Sequence, residues 1–309
     1  MTVLVLALDA LDAGLVEQFD LDAVHLETSR DLETFALTQD LPYTPEVWAT
    51  VATGLPPDEH GITGGGTSEW DNPVLEGLSR VSGRLDESTR GTLGRFVRSK
   101  TGERERIGRT DAESMFDADR AVVHNWPGVA DGRPLQRAWD LMNAVAQGMP
   151  RSEFERELFG QCAQQFAWAR EMLRHPVSIA GVHVHALDAA GHAYADDEAA
   201  LRRTYDRVGE FVREVVDALG EGDDLLLLSD HGMRTEFYPP DAGENPATHS
   251  WRAYASSTTD SCPQSVYDVR EWVEEQARKT RVESEGIEDS AGERIDVPTE
   301  HLRELGYMD

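Results

Sequence analysis

The chain reads as an α/β protein with a central, mostly parallel β-sheet flanked by helices. Three observations predict this. Apolar runs of strand length recur at Val3–Leu8, Val177–His185, Leu225–Leu228 and Trp251–Ala255. Stretches with the 3.6-residue apolar spacing of helices lie between them. The runs also lead into Asp and His residues, as expected of an open α/β sheet, whose sites form at the carboxyl ends of the strands.

The first run, Val3–Leu8, is β-prone and ends on Asp9. The segment Leu41–Gly54 reads as a turn entering a short helix. Pro45 suits the first helical position, because its missing N–H has no partner there and its φ is already helical. That makes Thr44 the N-cap and Gly54 a helix stop. Thr44 has two readings at this point. It is a simple cap, or its hydroxyl sits in the positive field of a helix start, where phosphate binds and a metal ion promotes ionisation and attack.

Residues 63 to about 118 are rich in Gly and Arg, with few apolar runs. They read as a long excursion of the kind that forms lids or binding elements. The Arg cluster from Arg95 to Arg109 either holds an anionic substrate or pairs with its Glu and Asp neighbours. Ala121–Val123 is a short strand candidate, and His124 after it carries no assignment from sequence. Residues 134–147 and 152–174 have helical periodicity, the second through Leu158, Phe159, Cys162 and Phe166.

The Val177–His185 run leads through Ala186 and Leu187 to Asp188, with His192 four residues on. If Asp188 opens a helical turn, the two side chains share one face. His183 and His185 alternate with Val182 and Val184 and read as packing histidines, with His185 placed to support Asp188. An amphipathic helix is expected over Glu198–Leu219. Leu225–Leu228 then makes a buried strand ending in Ser229, Asp230, His231 and Gly232. His249 stands at the entrance of the Trp251–Ala255 strand, and Ser265–Ala277 is the last clear helix. Residues 280–297, rich in Glu, Asp and Gly, read as a flexible acidic segment. The organisation is that of a single catalytic domain over 1–309 with an inserted lid or substrate-binding excursion.

Asp9, Asp188 and Asp230, with His192, His231 and His249, all lie at strand edges. Any one Asp after a strand reads first as a turn or cap residue. Six such residues in one recurring context point to a shared site, and carboxylate with imidazole is a usual metal-ligand pair.

These residues, with Thr44-Pro45 nine positions before Thr53-Gly54, then Pro57 and His60-Gly61-Ile62, resemble the alkaline phosphatase superfamily. The likeness is to its type I phosphodiesterase/nucleotide pyrophosphatase branch. It covers roughly residues 1–65 and 175–275. The resemblance implies a three-layer sandwich with a two-metal site. One ion would be held by Asp188, His192 and His249, the other by Asp9, Asp230 and His231 with the Thr44 oxygen. Zinc suits such mixed ligands and manganese is compatible. Two ions about 4 Å apart would hold the attacking and substrate oxygens of an in-line displacement.

In this family Thr attacks phosphorus to give a phospho-threonine, which water hydrolyses. Sulfatase relatives need Cys or Ser where this chain has Thr44. Two departures stand out. The family's first Asp is commonly followed by Gly, here Ala10, and an Asn that contacts phosphate is replaced by Gly65.

The chain carries 58 acidic against 29 basic residues, a formal net charge of −29, and its only lysines are Lys100 and Lys279. Acid enrichment with Lys depletion resembles proteins of salt-accumulating halophiles. Self-repulsion of that charge is screened by salt. The midpoint of thermal unfolding is therefore expected to rise from millimolar to molar potassium chloride, most steeply at the low end. A midpoint indifferent to salt would refute this.

The acidity argues against a nucleic-acid duplex as partner. Two cysteines make no disulfide framework. No signal peptide or membrane span is expected, which makes cytoplasm the expected location. The leading function is a metal-dependent hydrolase of small phosphate esters, mono- or diester. The alternatives are a phosphotransferase or mutase of the same fold, and a metal-binding protein with little catalysis. Neither the substrate nor the oligomeric state follows from the sequence.

Overall fold

The first strand, β1 (Val3–Leu8), is buried along its whole length because it lies in the middle of the sheet. The structure, a computed structural model, describes residues 1–63, 108–130, 133–284 and 303. Following β1 are α1 (Ala13–Phe19), β2 (Thr28–Leu32), α2 (Thr44–Thr53), α3 (Pro57–His60) and β3 (Ala121–His124). Next come α4 (Arg133–Ala146), α5 (Arg151–Met172), β4 (Ile179–Val184), α6 (Ala186–Ala193) and α7 (Glu198–Val216). The chain continues through β5 (Asp224–Leu228), β6 (Gly232–Met233), β7 (His249–Ser250), β8 (Ala253–Ser257) and α8 (Val269–Ser284).

Among the described residues six strands form the main sheet, in the order β2-β8-β5-β1-β4-β3. β1, β3, β4 and β5 are parallel, and β8 alone is reversed, pairing antiparallel with both β5 and β2. The period-2 alternation of strand side chains divides the core in two. Leu4, Leu6, Leu8, Ala180, Val182, Leu225 and Leu227 face a cluster with residues of α1, α5, α6 and α7. Val3, Val5, Ala7, Ile179, Leu226 and Leu228 face Val47, Trp48 and Val51 of α2 and Val269 and Val273 of α8. The result is the helix–sheet–helix sandwich expected from the sequence.

β2 was not legible as a strand. Its sequence, Thr-Ser-Arg-Asp-Leu, has three exposed residues, because an edge strand needs no continuous apolar run. β8 starts at Ala253 rather than Trp251, whose ring is exposed. The last helix starts later than expected. Ser265 N–H donates to the Asp268 carboxylate at 3.0 Å, closing a turn before α8. That helix then runs to Ser284, so residues 280–284 are helical rather than part of a flexible segment.

Residues 285–297 lie outside the described residues, as do 64–107, with Gly65 and the Arg cluster short of Arg109. The described end of the expected excursion is packed against the body of the protein. Thr110 N–H donates to the Gly128 carbonyl at 2.8 Å, and its hydroxyl to the His60 carbonyl at 2.6 Å. Met115 and Phe116 are buried. Phe116 lies over β4 at Gly181, where a Cβ would collide with its ring, so the strand needs glycine there.

Candidate metal centre and nucleophile

The parallel strands deliver their carboxyl ends to one edge, and the site is built there. Asp9 is the first residue past β1, its N–H donating to the Val184 carbonyl of β4 at 3.0 Å. Asp188 and His192 lie one turn apart on α6, as their spacing predicts. Asp230 and His231 follow β5. The ribbon of β6 and β7 pairs Met233 with His249, which brings His249 beside His231. The two imidazoles stack with centroids 3.6 Å apart.

The six predicted Asp and His residues fall into the two expected groups. Ligand atoms of Asp188, His192 and His249 lie within 4.8 Å of one another, as do those of Asp9, Asp230 and His231. The histidines are oriented alike. Nδ1–H donates to a backbone carbonyl in each: His192 to Ala247 at 2.9 Å, His231 to Gly232 at 3.0 Å and His249 to Pro42 at 2.7 Å. Such bonds fix the tautomer and leave the Nε2 lone pair free to ligate. Each Nε2 faces a carboxylate: His192 and His249 lie 3.4 and 3.5 Å from Asp188 Oδ1, and His231 lies 3.3 Å from Asp230 Oδ2. Asp188 Oδ1 and Asp230 Oδ2 are buried with no hydrogen-bond donor. Imidazole nitrogens and carboxylate oxygens that converge with no hydrogen bond to the buried oxygens are what a cation would satisfy, so the donor sets fit divalent metal ions.

The charges are otherwise hard to accommodate. Burial pushes Asp230 well above the carboxylate range, and the neighbouring Asp9 pushes it further. Burial also opposes ionisation of Asp9 and Asp188, but nearby histidines, His185 for Asp9 and His192 for Asp188, hold both well below the usual range. His231 is pushed down to about 4 by burial and by His249, so it is a neutral donor at ordinary pH. His192 and His249 are raised, the first by Asp188 and the second by Asp188 against the effect of burial.

Thr44 is nearly buried, with its hydroxyl 3.1 Å from His231 Nε2 and 3.5 Å from Asp9 Oδ1. The expectation that Thr44 is the N-cap of α2 is corrected. Tyr43 is the N-cap, its carbonyl accepting from Glu46 and Val47, and Thr44 is the first helical residue. The Thr44 side chain caps nothing and points at the ligand cluster instead. Gly54 ends the helix at φ +68°, as read from the sequence.

His183 and His185 were underestimated. His183 Nε2 lies 3.0 Å from Asp9 Oδ2, and His185 Nδ1 lies 2.6 Å from the same oxygen. The sequence signal was two imidazoles on a buried strand, which need polar partners, but not where the partners were. His124 instead stacks on Trp168, with centroids 5.2 Å apart.

A buried ion network supports the site from behind. Arg252 Nε donates to both oxygens of Asp12, at 2.8 and 3.0 Å, and its two terminal nitrogens reach Asp241 at 2.7 and 3.0 Å. Asp12 also caps α1 through Gly14 and Leu15 and accepts from Met233 N–H and the Ser250 hydroxyl. It thereby ties down both strands of the ribbon. A Cβ at Gly232 would collide with Asp12 Oδ2, and one at Gly191 would lie 2.7 Å from Met233. The glycines beside His231 and His192 are therefore demanded by packing. Ala10, where the family commonly has Gly, adopts φ +61°, the left-handed region that favours glycine.

Compared with known proteins, the chain is similar to solved structures of low sequence identity. Murine ectonucleotide pyrophosphatase/phosphodiesterase 5 is 16% identical, with 76% of this chain covering 58% of that one at a TM-score of 0.43. Alkaline phosphatase from the Antarctic bacterium TAB5 is 9% identical, with coverage of 90% and 98% and a TM-score of 0.47. Phosphonoacetate hydrolase from Sinorhizobium meliloti 1021, in complex with phosphonoacetate, is 17% identical, with coverage of 75% and 56% and a TM-score of 0.38. No curated protein matches. The family pattern described as type I phosphodiesterase/nucleotide pyrophosphatase matches residues 3–303, and the chain belongs to that family.

Proposed function

We propose that the protein is a metal-dependent phosphoester hydrolase in which Thr44 is the nucleophile and two divalent cations, zinc or manganese, occupy the two ligand groups. The observation that carries the reading is the Thr44 hydroxyl, which caps no helix and lies against Asp9 and His231 of one ligand group. Bound there, divalent cations would supply the positive charge that eases ionisation of the hydroxyl and offsets the phosphate oxygens.

The chain's own residues do the rest. Asp9 and His231 hold the Thr44 oxygen in place, and the start of α2 adds the positive end of its dipole. Thr44 Oγ1 gives its proton to solvent water and bonds to phosphorus as the P–O bond to the alcohol breaks, and the departing oxygen takes up one proton from solvent, so the proton count closes. Water then attacks the phospho-threonine, releasing phosphate or a monoester and restoring the Thr44 hydroxyl. Nucleophile and ligands are carried by strand ends, by α2 and α6 and by the β6–β7 ribbon, which favours a pre-organised reaction geometry.

The test is a panel of phosphomonoesters, phosphodiesters and sulfate esters, assayed with added zinc or manganese after chelation of the protein. Hydrolysis of a phosphate ester is expected only with metal restored, with sulfate esters untouched. Turnover unaffected by chelation would refute the reading, as would preference for sulfate esters.

A further inference from the structure

Among the described residues five histidines surround the site, and His185 differs from the rest. His192, His231 and His249 each give Nδ1–H to a backbone carbonyl, whereas His185 has a carboxylate on both ring nitrogens. Its Nδ1 lies 2.6 Å from Asp9 Oδ2 and its Nε2 3.1 Å from Asp188 Oδ2. Those two carboxylates belong to different ligand groups.

The oxygens are partitioned. Asp9 Oδ1 faces Thr44 and His231, at 3.5 and 3.4 Å. Asp188 Oδ1 faces His192 and His249, at 3.4 and 3.5 Å. The Oδ2 atom of each turns to His185.

We propose that His185 is a positioning residue that couples the two ligand groups by holding the Oδ2 atom of one carboxylate from each. The inference rests on the two-metal reading of those groups. With one ring nitrogen 2.6 Å from Asp9 and the other 3.1 Å from Asp188, the side chain spans the two carboxylates as a bridge. The backbone sets this up. β1 and β4 pair Leu8 with Val184, so the next residues along, Asp9 and His185, emerge side by side. Asp188 follows one turn later on α6, in i,i+3 relation to His185. His185 is buried, so water is poorly placed to substitute for it. His183 adds a second contact to Asp9 Oδ2 at 3.0 Å, but it reaches no other carboxylate among the described residues.

This role differs from that of an ordinary outer partner of one metal ligand. Losing it removes a support from one carboxylate in each group, Asp9 keeping its contact with His183, so both sites should weaken together. A side-chain amide has two N–H donors and can serve two acceptors, so glutamine should restore part of the bridge.

The experiment compares wild type, His185→Ala and His185→Gln, each stripped of metal and titrated with zinc alone. Elemental analysis gives the stoichiometry, competition with a chelator gives each affinity, and circular dichroism of the metal-free forms reports folding. Wild type should bind two ions. His185→Ala should lose about 10–100-fold in affinity at both sites, the range found when a ligand's supporting partner is removed. His185→Gln should recover part of that at both sites. If the alanine variant does not fold, the glutamine variant carries the test, with a smaller loss expected at both sites.

Unchanged affinities, or a loss confined to one ion, would overturn the inference. A third ion in wild type would place metal among Asp9, His183 and His185 and overturn it too. Fewer than two ions in wild type would bring down the two-metal reading, and this inference with it.

Discussion

Thr44→Ala is expected to abolish turnover while the protein still binds two metal ions. The Thr44 oxygen is the one hydroxyl placed against the ligand group of Asp9 and His231 among the described residues. On the proposed mechanism its removal deletes an entire covalent step, and loss of a nucleophile lowers kcat by on the order of 10^4 or more. Stability should fall modestly, by about 1 kcal/mol, for the loss of the hydroxyl's contacts with His231 and Asp9. Thr44→Ser keeps a hydroxyl and should retain measurable activity. Steady-state kinetics on the best ester found, together with metal analysis of each variant, checks this. Near wild-type turnover by Thr44→Ala would remove Thr44 from the chemistry and leave direct attack by water.

The largest stability effect is expected from Arg252→Met. Asp12 and Asp241 are both buried, and Arg252 is the cation that joins them. Burial pushes Asp12 up even with the guanidinium beside it, so the carboxylate depends on that partner to stay charged. Removing one member of a buried ion network typically costs about 3–5 kcal/mol. Lysine keeps the charge but not the planar fork that reaches both carboxylates, so Arg252→Lys should fall between methionine and wild type. Denaturant unfolding of the metal-free protein measures the loss. Because Asp12 also ties down Met233 and Ser250, zinc affinity at the His249 group should fall in the same variant. A stability change of less than about 1 kcal/mol would show that the other donors to Asp12 suffice.

Some of this was legible in the sequence and some was not, for physical reasons. The central strands β1, β4 and β5 were readable because burial on both faces demands continuous apolar runs. Asp9, Asp188 and Asp230 were readable because they stand directly at or just beyond the ends of those runs. β2 was hidden by its position at the sheet edge, where solvent permits Thr, Ser, Arg and Asp. The contacts of His183 and His185 depend on which strand lies beside β4, and Asp9 is 174 and 176 residues away. Likewise Arg252 and Asp12 are separated by 240 residues, and neither stands in a recognisable local pattern. Thr44 was placed one position too early in its helix, a slip of the size usual at helix ends. Yet the residue picked out as a nucleophile candidate is the one whose oxygen faces Asp9 and His231.

If phosphorus passes through a bond to Thr44, stereochemistry at phosphorus will record it. Each in-line displacement inverts the phosphorus centre, so attack by Thr44 followed by attack of water gives two inversions. An ester made chiral at phosphorus with sulfur and oxygen isotopes, hydrolysed in labelled water, should therefore give product with net retention. Net inversion would mean a single displacement by water and would contradict the phospho-threonine mechanism.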